Sequence, residues 1–271
     1  AAHGAGADAA GARPEASQEC PASAISIASS TGAEDASDGR GTCAPPPLLM
    51  WEGIALSEGD LQCLGEGCML NDAVVDFFLR LMQRCLANRE DVHIFSSHFF
   101  THLRAGGAED GESGWKNVSR WTKKVDLFAH ALLVVPINTD IHWWAAVVQT
   151  CGATTASPPL ASWLDSLRAD TGERYSQALK YIGGYLRREA AERAQRGDAA
   201  SATITPDFTG FLGVCEPVPE QQNSVDCGVF LLENVRCILS GAARVGRGGS
   251  CAWCDQRRAD WCRESLRLTA R

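Results

Sequence analysis

The chain has 271 residues, 45% of them hydrophobic and 21% charged, enough for one domain with a full core or two small ones. A formal net charge of −8 argues against a broadly cationic nucleic-acid-binding surface, which needs Lys and Arg in excess. No apolar run approaches the ~20 residues of a membrane span, and no basic start with an apolar stretch behind it marks a secretory leader. The 12 cysteines are scattered without framework spacing, so an intracellular, reduced protein is expected, with most thiols acting as small core hydrophobes.

Residues 1–46 are rich in Ala, Gly, Ser, Glu and Asp and nearly free of large apolar side chains. They bury too little surface to offset ordering entropy and read as a disordered tail ahead of a folded domain over residues 47–271. Ser57 is placed to cap a short helix through Leu64. In MLNDAVVDFFLRLMQRCL (69–86), Val74, Val75, Phe77, Phe78, Leu81, Met82, Cys85 and Leu86 recur at helical spacing behind a cap at Asn71 or Asp72. The aromatic HIFSSHFFTHL (93–103) reads as a short helix or turn. Its three histidines are assigned to packing or surface, since no cysteine or carboxylate pattern closes a metal site around them. Residues 104–114 read as a flexible loop. Over 115–128, Trp115, Val118, Trp121 and Val125 stand at helix-like intervals.

ALLVVPI (131–137) reads as a buried strand ended by Pro136, and HWWAAVVQT (142–150) as a second strand with His142 at its start. Residues 151–161 form a turn-rich hairpin loop, and SWLDSL (162–167) a third strand with Asp165 inside it. A carboxylate among apolar strand residues must be paired to be tolerated. A long amphipathic helix follows over 171–196, weakened at Gly183 and Gly184, then a polar loop and a strand over 211–218. A Gly/Arg-rich linker (241–250) and a last helix (251–270) close the chain. Cys251, Cys254 and Cys262 fall on one helical face with no fourth ligand, which favours packing over zinc.

The stretch with most chemistry is VPEQQNSVDCGVF (218–230). Cys227 opens a helix there, where the positive end of the dipole favours a thiolate. Gln221 and Asn223 bring side-chain amides upstream of it, suited to donate to an oxyanion. Such a cysteine needs a histidine to hold it as thiolate and to protonate the leaving amine, and the histidine needs a carboxylate to orient it. His142 and Asp165 meet that need if their two strands pair antiparallel. From spacing alone, a buried structural cysteine beside an unrelated histidine stays open.

LNDAVVDFFLRLM, FSSHFFTHL, VSRWTKKVDLF, LLVVPIN, IHWWAAVV, WLDSL and VPEQQNSVDCGVFLL, in this order, resemble the Ulp/sentrin-specific family of SUMO proteases. The resemblance runs from about Ile54 onward and implies an α+β, papain-like cysteine protease fold with a central mixed sheet flanked by helices. It implies Cys227 as nucleophile, His142 as base and then acid, Asp165 as orienting carboxylate and Gln221 as oxyanion donor. The family's substrate is a ubiquitin-like modifier ending in Gly-Gly, threaded through a narrow tunnel. Trp143 matches one wall. The opposite wall is normally the Trp of a W-L-N-D motif, and here it is the more flexible Met69. Asp72 matches a position that faces the modifier. The resemblance further implies a monomer in nucleus or cytoplasm that needs neither metal nor cofactor. A NEDD8- or ubiquitin-specific protease, a Cys/His acyltransferase and a non-catalytic modifier-binding module are the alternatives.

Overall fold

The computed structural model describes residues 26–27, 47–85, 92–107, 113–139, 141–150, 159–167, 172–197 and 212–239. Expectations for the remainder of residues 1–46, for 151–158, and for the linker and last helix with Cys251, Cys254 and Cys262 lie outside the described residues.

A small antiparallel sheet joins β1 (Ser26–Ile27), β2 (Leu49–Trp51) and β3 (Ile54–Leu56). β1 comes from the stretch read as a tail; Ser26 stands opposite Met50. Ser57 then caps α1 (Glu58–Leu61): its hydroxyl accepts from the Asp60 backbone N–H while the Asp60 carboxylate accepts from the Ser57 N–H, a capping box. Asn71 starts α2 (Asp72–Cys85), its side-chain oxygen accepting from the Val74 N–H at 2.9 Å. Cys85 is disulfide-bonded, unlike the reduced state expected throughout.

The main sheet has five strands in the order β4 (Val92–Ile94), β5 (Leu132–Thr139), β6 (His142–Gln149), β7 (Leu160–Leu164), β8 (Leu212–Cys215). The outer pairs are parallel and the inner ones antiparallel, so the sheet is mixed. Its central strands are buried on both faces, and alternate residues feed two cores. Trp143, Ala145 and Val147 of β6 face the layer of α2 and α6 (Cys227–Leu239). Trp144, Ala146 and Val148 face the layer of α3 (His98–Arg104) and α5 (Glu173–Gln195), with α4 (Trp115–Val118) alongside. The α+β architecture of a mixed sheet flanked by helices is therefore present.

Four expectations need correction. Pro136 does not end β5, which runs on to Thr139 with Pro136 opposite Ala145. Its neighbour β4 pairs only as far as Val134, so a missing N–H beyond that point loses no ladder bond on that side. Asp165 lies just past the end of β7, not within it. Gly183 and Gly184 do not interrupt α5, because both are buried where the helix packs on its core. Residues 115–128 are helical only in α4 and in a 3-10 turn at Leu127–Ala129. Among the described residues no helix is long and apolar enough to cross a membrane.

Candidate active site

β6 and β7 pair antiparallel with Ala145 opposite Leu164. His142 begins β6 and Asp165 follows β7, so both leave the sheet at the same end. There His142 Nε2 donates to Asp165 Oδ1 at 2.7 Å. The Cys227 side chain lies close enough to the imidazole to raise its pKa, and since Nε2 is taken by Asp165, Nδ1 is the ring nitrogen left for the sulfur. The structure thus brings together the three groups that the sequence left 23 and 62 residues apart.

Burial by itself pushes the His142 pKa down, but hydrogen bonds and charge from Asp165 and Cys227 override it and raise it to about 9. At neutral pH the ring is an imidazolium, set between the Asp165 carboxylate and the Cys227 sulfur. Asp165 is 1% exposed. Burial disfavours its charge, yet bonds from His142, Tyr175 and the Leu167 N–H hold its pKa below the ordinary carboxylate value. Arg174 and Tyr175, at the start of α5, both donate to Asp165 Oδ2, the Tyr175 hydroxyl at 2.7 Å. Neither residue was read as part of the site, because a tyrosine in the first turn of an amphipathic helix reads as core.

Cys227 is the first residue of α6 and is 1% exposed. The Asp226 carbonyl accepts the Phe230 N–H at 3.0 Å, which makes Asp226 the cap just outside the helix. Asn223 Oδ1 accepts from the N–H groups of Val225 and Asp226, and Asn223 Nδ2 donates to Asp226 Oδ2. Asn223 therefore builds the turn. Gln221 is held differently. Its backbone N–H donates to the Ser166 carbonyl at 3.0 Å, and its Oε1 accepts from Ser166 Oγ at 2.6 Å. Its Nε2 donates one proton to the Asn223 carbonyl at 2.6 Å, and the second proton is left for another acceptor. Ser166 was also missed. Directly after Asp165 in the chain, it ties Gln221 to the end of β7.

Trp143 is 2% exposed, with its indole N–H donating to the Leu70 carbonyl at 2.9 Å. Met69, next to Leu70, is half-buried against the same core. Asp72 is part-exposed on the first turn of α2, 4.0 Å from His98 Nδ1. Leu70 also packs on Gly228: a Cβ on that glycine would lie 2.9 Å from Leu70 Cβ. Only glycine lets α6 come this close. Among the described residues no group of three or more His, Cys, Asp or Glu is disposed to hold a metal ion; His93 meets the Phe95 ring edge-on and lies tilted against His130.

Residues 69–252 match the profile of the Ulp1 protease family, C-terminal catalytic domain. Ubiquitin-like-specific protease 2 of Schizosaccharomyces pombe is 28% identical over 235 residues, covering 73% of this chain and 35% of that protein. Human sentrin-specific protease 5 is 32% identical over 185 residues, covering 68% of this chain and 21% of that protein. The chain thus spans about a third or less of the relatives it matches. In fold it is similar to the C-terminal Ulp1 protease domain solved in complex with Smt3, the yeast orthologue of SUMO. The TM-score is 0.62 at 19% identity, over 81% of this chain and 84% of that one.

Proposed function

The chain belongs to the Ulp1 protease family, and from that premise we propose a thiol protease that cleaves after the C-terminal Gly-Gly of a SUMO-type ubiquitin-like modifier. It would release the modifier from lysine isopeptide conjugates, process its precursor, or both, inside the cell in nucleus or cytoplasm. The observation that carries this reading is the imidazole of His142 held between Asp165, at 2.7 Å, and the Cys227 thiol at the start of α6.

The chemistry is acyl transfer. The Cys227 sulfur attacks the carbonyl carbon of the modifier's last glycine, forming a C–S bond. The oxyanion that results takes hydrogen bonds from the second Gln221 Nε2 proton and the Cys227 backbone N–H. His142 gives its proton to the amine nitrogen as the C–N bond breaks, and the amine leaves. Water, deprotonated by the now neutral His142, then hydrolyses the thioester and restores the thiolate–imidazolium pair. Asp165 holds the ring orientation and offsets its charge throughout.

The burial of Cys227 supports a substrate tail without side chains, since a branched residue would have to displace its cover. Trp143 and Met69 are the residues beside that path, and Asp72 stands on the exposed rim for the modifier's folded body. The test is turnover of fluorogenic SUMO, NEDD8 and ubiquitin C-terminal conjugates. SUMO is expected to be cleaved fastest, and Cys227→Ser to abolish cleavage of all. Turnover of none by the unaltered chain contradicts the reading.

A further inference from the structure

We propose that Arg174 and Tyr175 are positioning residues of this site: they clamp the Asp165 oxygen that His142 does not use, and so fix the carboxylate that orients the imidazole. The proposal rests on the assignment of Asp165 as the orienting carboxylate.

A carboxylate beyond a strand end has two soft torsions, and His142 and the Leu167 N–H both hold only Oδ1, which leaves Oδ2 to be fixed. Here the other oxygen, Oδ2, receives the Tyr175 hydroxyl at 2.7 Å and a guanidinium N–H of Arg174. The two donors also hold each other, Arg174 Nη2 to Tyr175 Oη at 2.9 Å, with the guanidinium carbon 4.8 Å from the centre of the Tyr175 ring. The tyrosine is fixed in turn. Its ring lies flat on Trp163 of β7, centroids 4.9 Å apart and planes within 7°, and meets Trp144 of β6 edge-on at 5.0 Å. The clamp is thus built on the two strands that end at Asp165 and begin at His142.

How the chain returns to its own carboxylate is visible at Gly172. Its φ of +88° is a left-handed turn that other residues reach only under strain, and it starts α5 so that Arg174 and Tyr175 point back at residue 165. The guanidinium offers charge as well as geometry. It sets a positive charge against Asp165 without competing for Oδ1, while the hydroxyl satisfies the remaining lone pair of a nearly dry group. Both donate to Asp165 Oδ2, and Arg174 Nη2 also donates to the Leu167 carbonyl at 3.4 Å, which ties the clamp to the chain just past Asp165.

The experiment measures kcat, KM and the pH profile with a fluorogenic SUMO conjugate for Tyr175→Phe, Arg174→Met, Arg174→Lys and Asp165→Ala, and for Tyr175→Phe combined with Asp165→Ala. Tyr175→Phe keeps the stack on Trp163 and removes only the hydroxyl, so folding is not at issue. Its kcat is expected to fall about tenfold with KM unchanged, and the acid limb to move to higher pH as the carboxylate loses a donor. Arg174→Met should act in the same direction, with part of the loss recovered in Arg174→Lys. In the Asp165→Ala background Tyr175→Phe should cost nothing more. Wild-type kcat and pH profile in Tyr175→Phe, or an equal further loss without Asp165, would overturn the clamp. Wild-type kcat in Asp165→Ala would instead overturn the assignment of the carboxylate on which the clamp rests.

Discussion

His142 sets the pH behaviour of the site. Its pKa, raised to about 9 by Asp165 and Cys227 against the effect of burial, keeps it an imidazolium over the physiological range. The proton it carries is the one the leaving amine needs. kcat should therefore hold through neutral pH and fall as pH rises through about 9, measured with a SUMO conjugate across pH 6 to 10.5. A midpoint near the ordinary histidine value of 6.5 would contradict the raised imidazolium. Stability follows the same sign. A folded pKa above the unfolded one contributes stability that is complete below about 6.5 and is lost as pH rises through about 9. Asp165, with its pKa held down, contributes in the opposite sense: its share is present above the ordinary 3.8 and is lost as pH falls below it. The sequence made Cys227, His142, Asp165 and Gln221 visible because each stands in a context that demands a partner. Arg174, Tyr175 and Ser166 were not visible. Their role depends on a turn through Gly172 and on the β7–β8 edge, and neither leaves a periodic trace.

At the scale of elements, the site depends on how closely α6 packs. Gly228 carries Cys227 against Leu70, whose carbonyl also takes the Trp143 indole N–H. In Gly228→Ala the new methyl would force the Leu70 segment or the helix start to move. The expected result is a loss of about 1–3 kcal/mol in urea unfolding, with kcat reduced further than the remaining folded fraction explains. Unchanged kcat and stability would show that the contact yields freely. A second element-scale device lies far from the chemistry. Glu189 on α5, 1% exposed, accepts from Trp115 Nε1 at 2.7 Å and Arg193 Nε at 2.8 Å, and Arg193 Nη2 donates to the Thr122 carbonyl at 3.0 Å. Glu189→Ala would leave a buried guanidinium without its carboxylate, at about 3–5 kcal/mol in chemical denaturation. It should leave the pH dependence of the folded enzyme unchanged. The same bonds explain why residues 115–128 are not one helix. The Thr122 carbonyl accepts a guanidinium, and the Thr122 hydroxyl pairs with Tyr185 at 2.8 Å. Apolar spacing announced a buried face there, and tertiary hydrogen bonds chose its backbone.

Across the whole molecule, one sheet serves two cores and one site. Alternation along β6 sends Trp143 toward α2 and α6 and Trp144 toward α3 and α5, so neighbouring tryptophans serve opposite layers. Cys227, His142 and Asp165 come from three elements, α6, β6 and the end of β7, held in register by the β6–β7 ladder and the packing of α6 on β6. That arrangement was legible as strand, strand and helix, and the antiparallel pairing of β6 with β7 meets the condition on which the sequence reading joined His142 to Asp165. The exact strand ends were not legible. Pro136 looked like a stop because sequence does not tell which side of a strand lacks a neighbour, and Asp165 looked like a strand residue because apolar side chains flank it. The most direct measurement is intact-mass and peptide mapping after reaction with SUMO, NEDD8 and ubiquitin that carry a C-terminal electrophile in place of the scissile bond. A single SUMO adduct on Cys227, absent from Cys227→Ser, is the predicted result. An adduct on another cysteine, or none from any of the three modifiers, would contradict Cys227 as the nucleophile of a modifier protease.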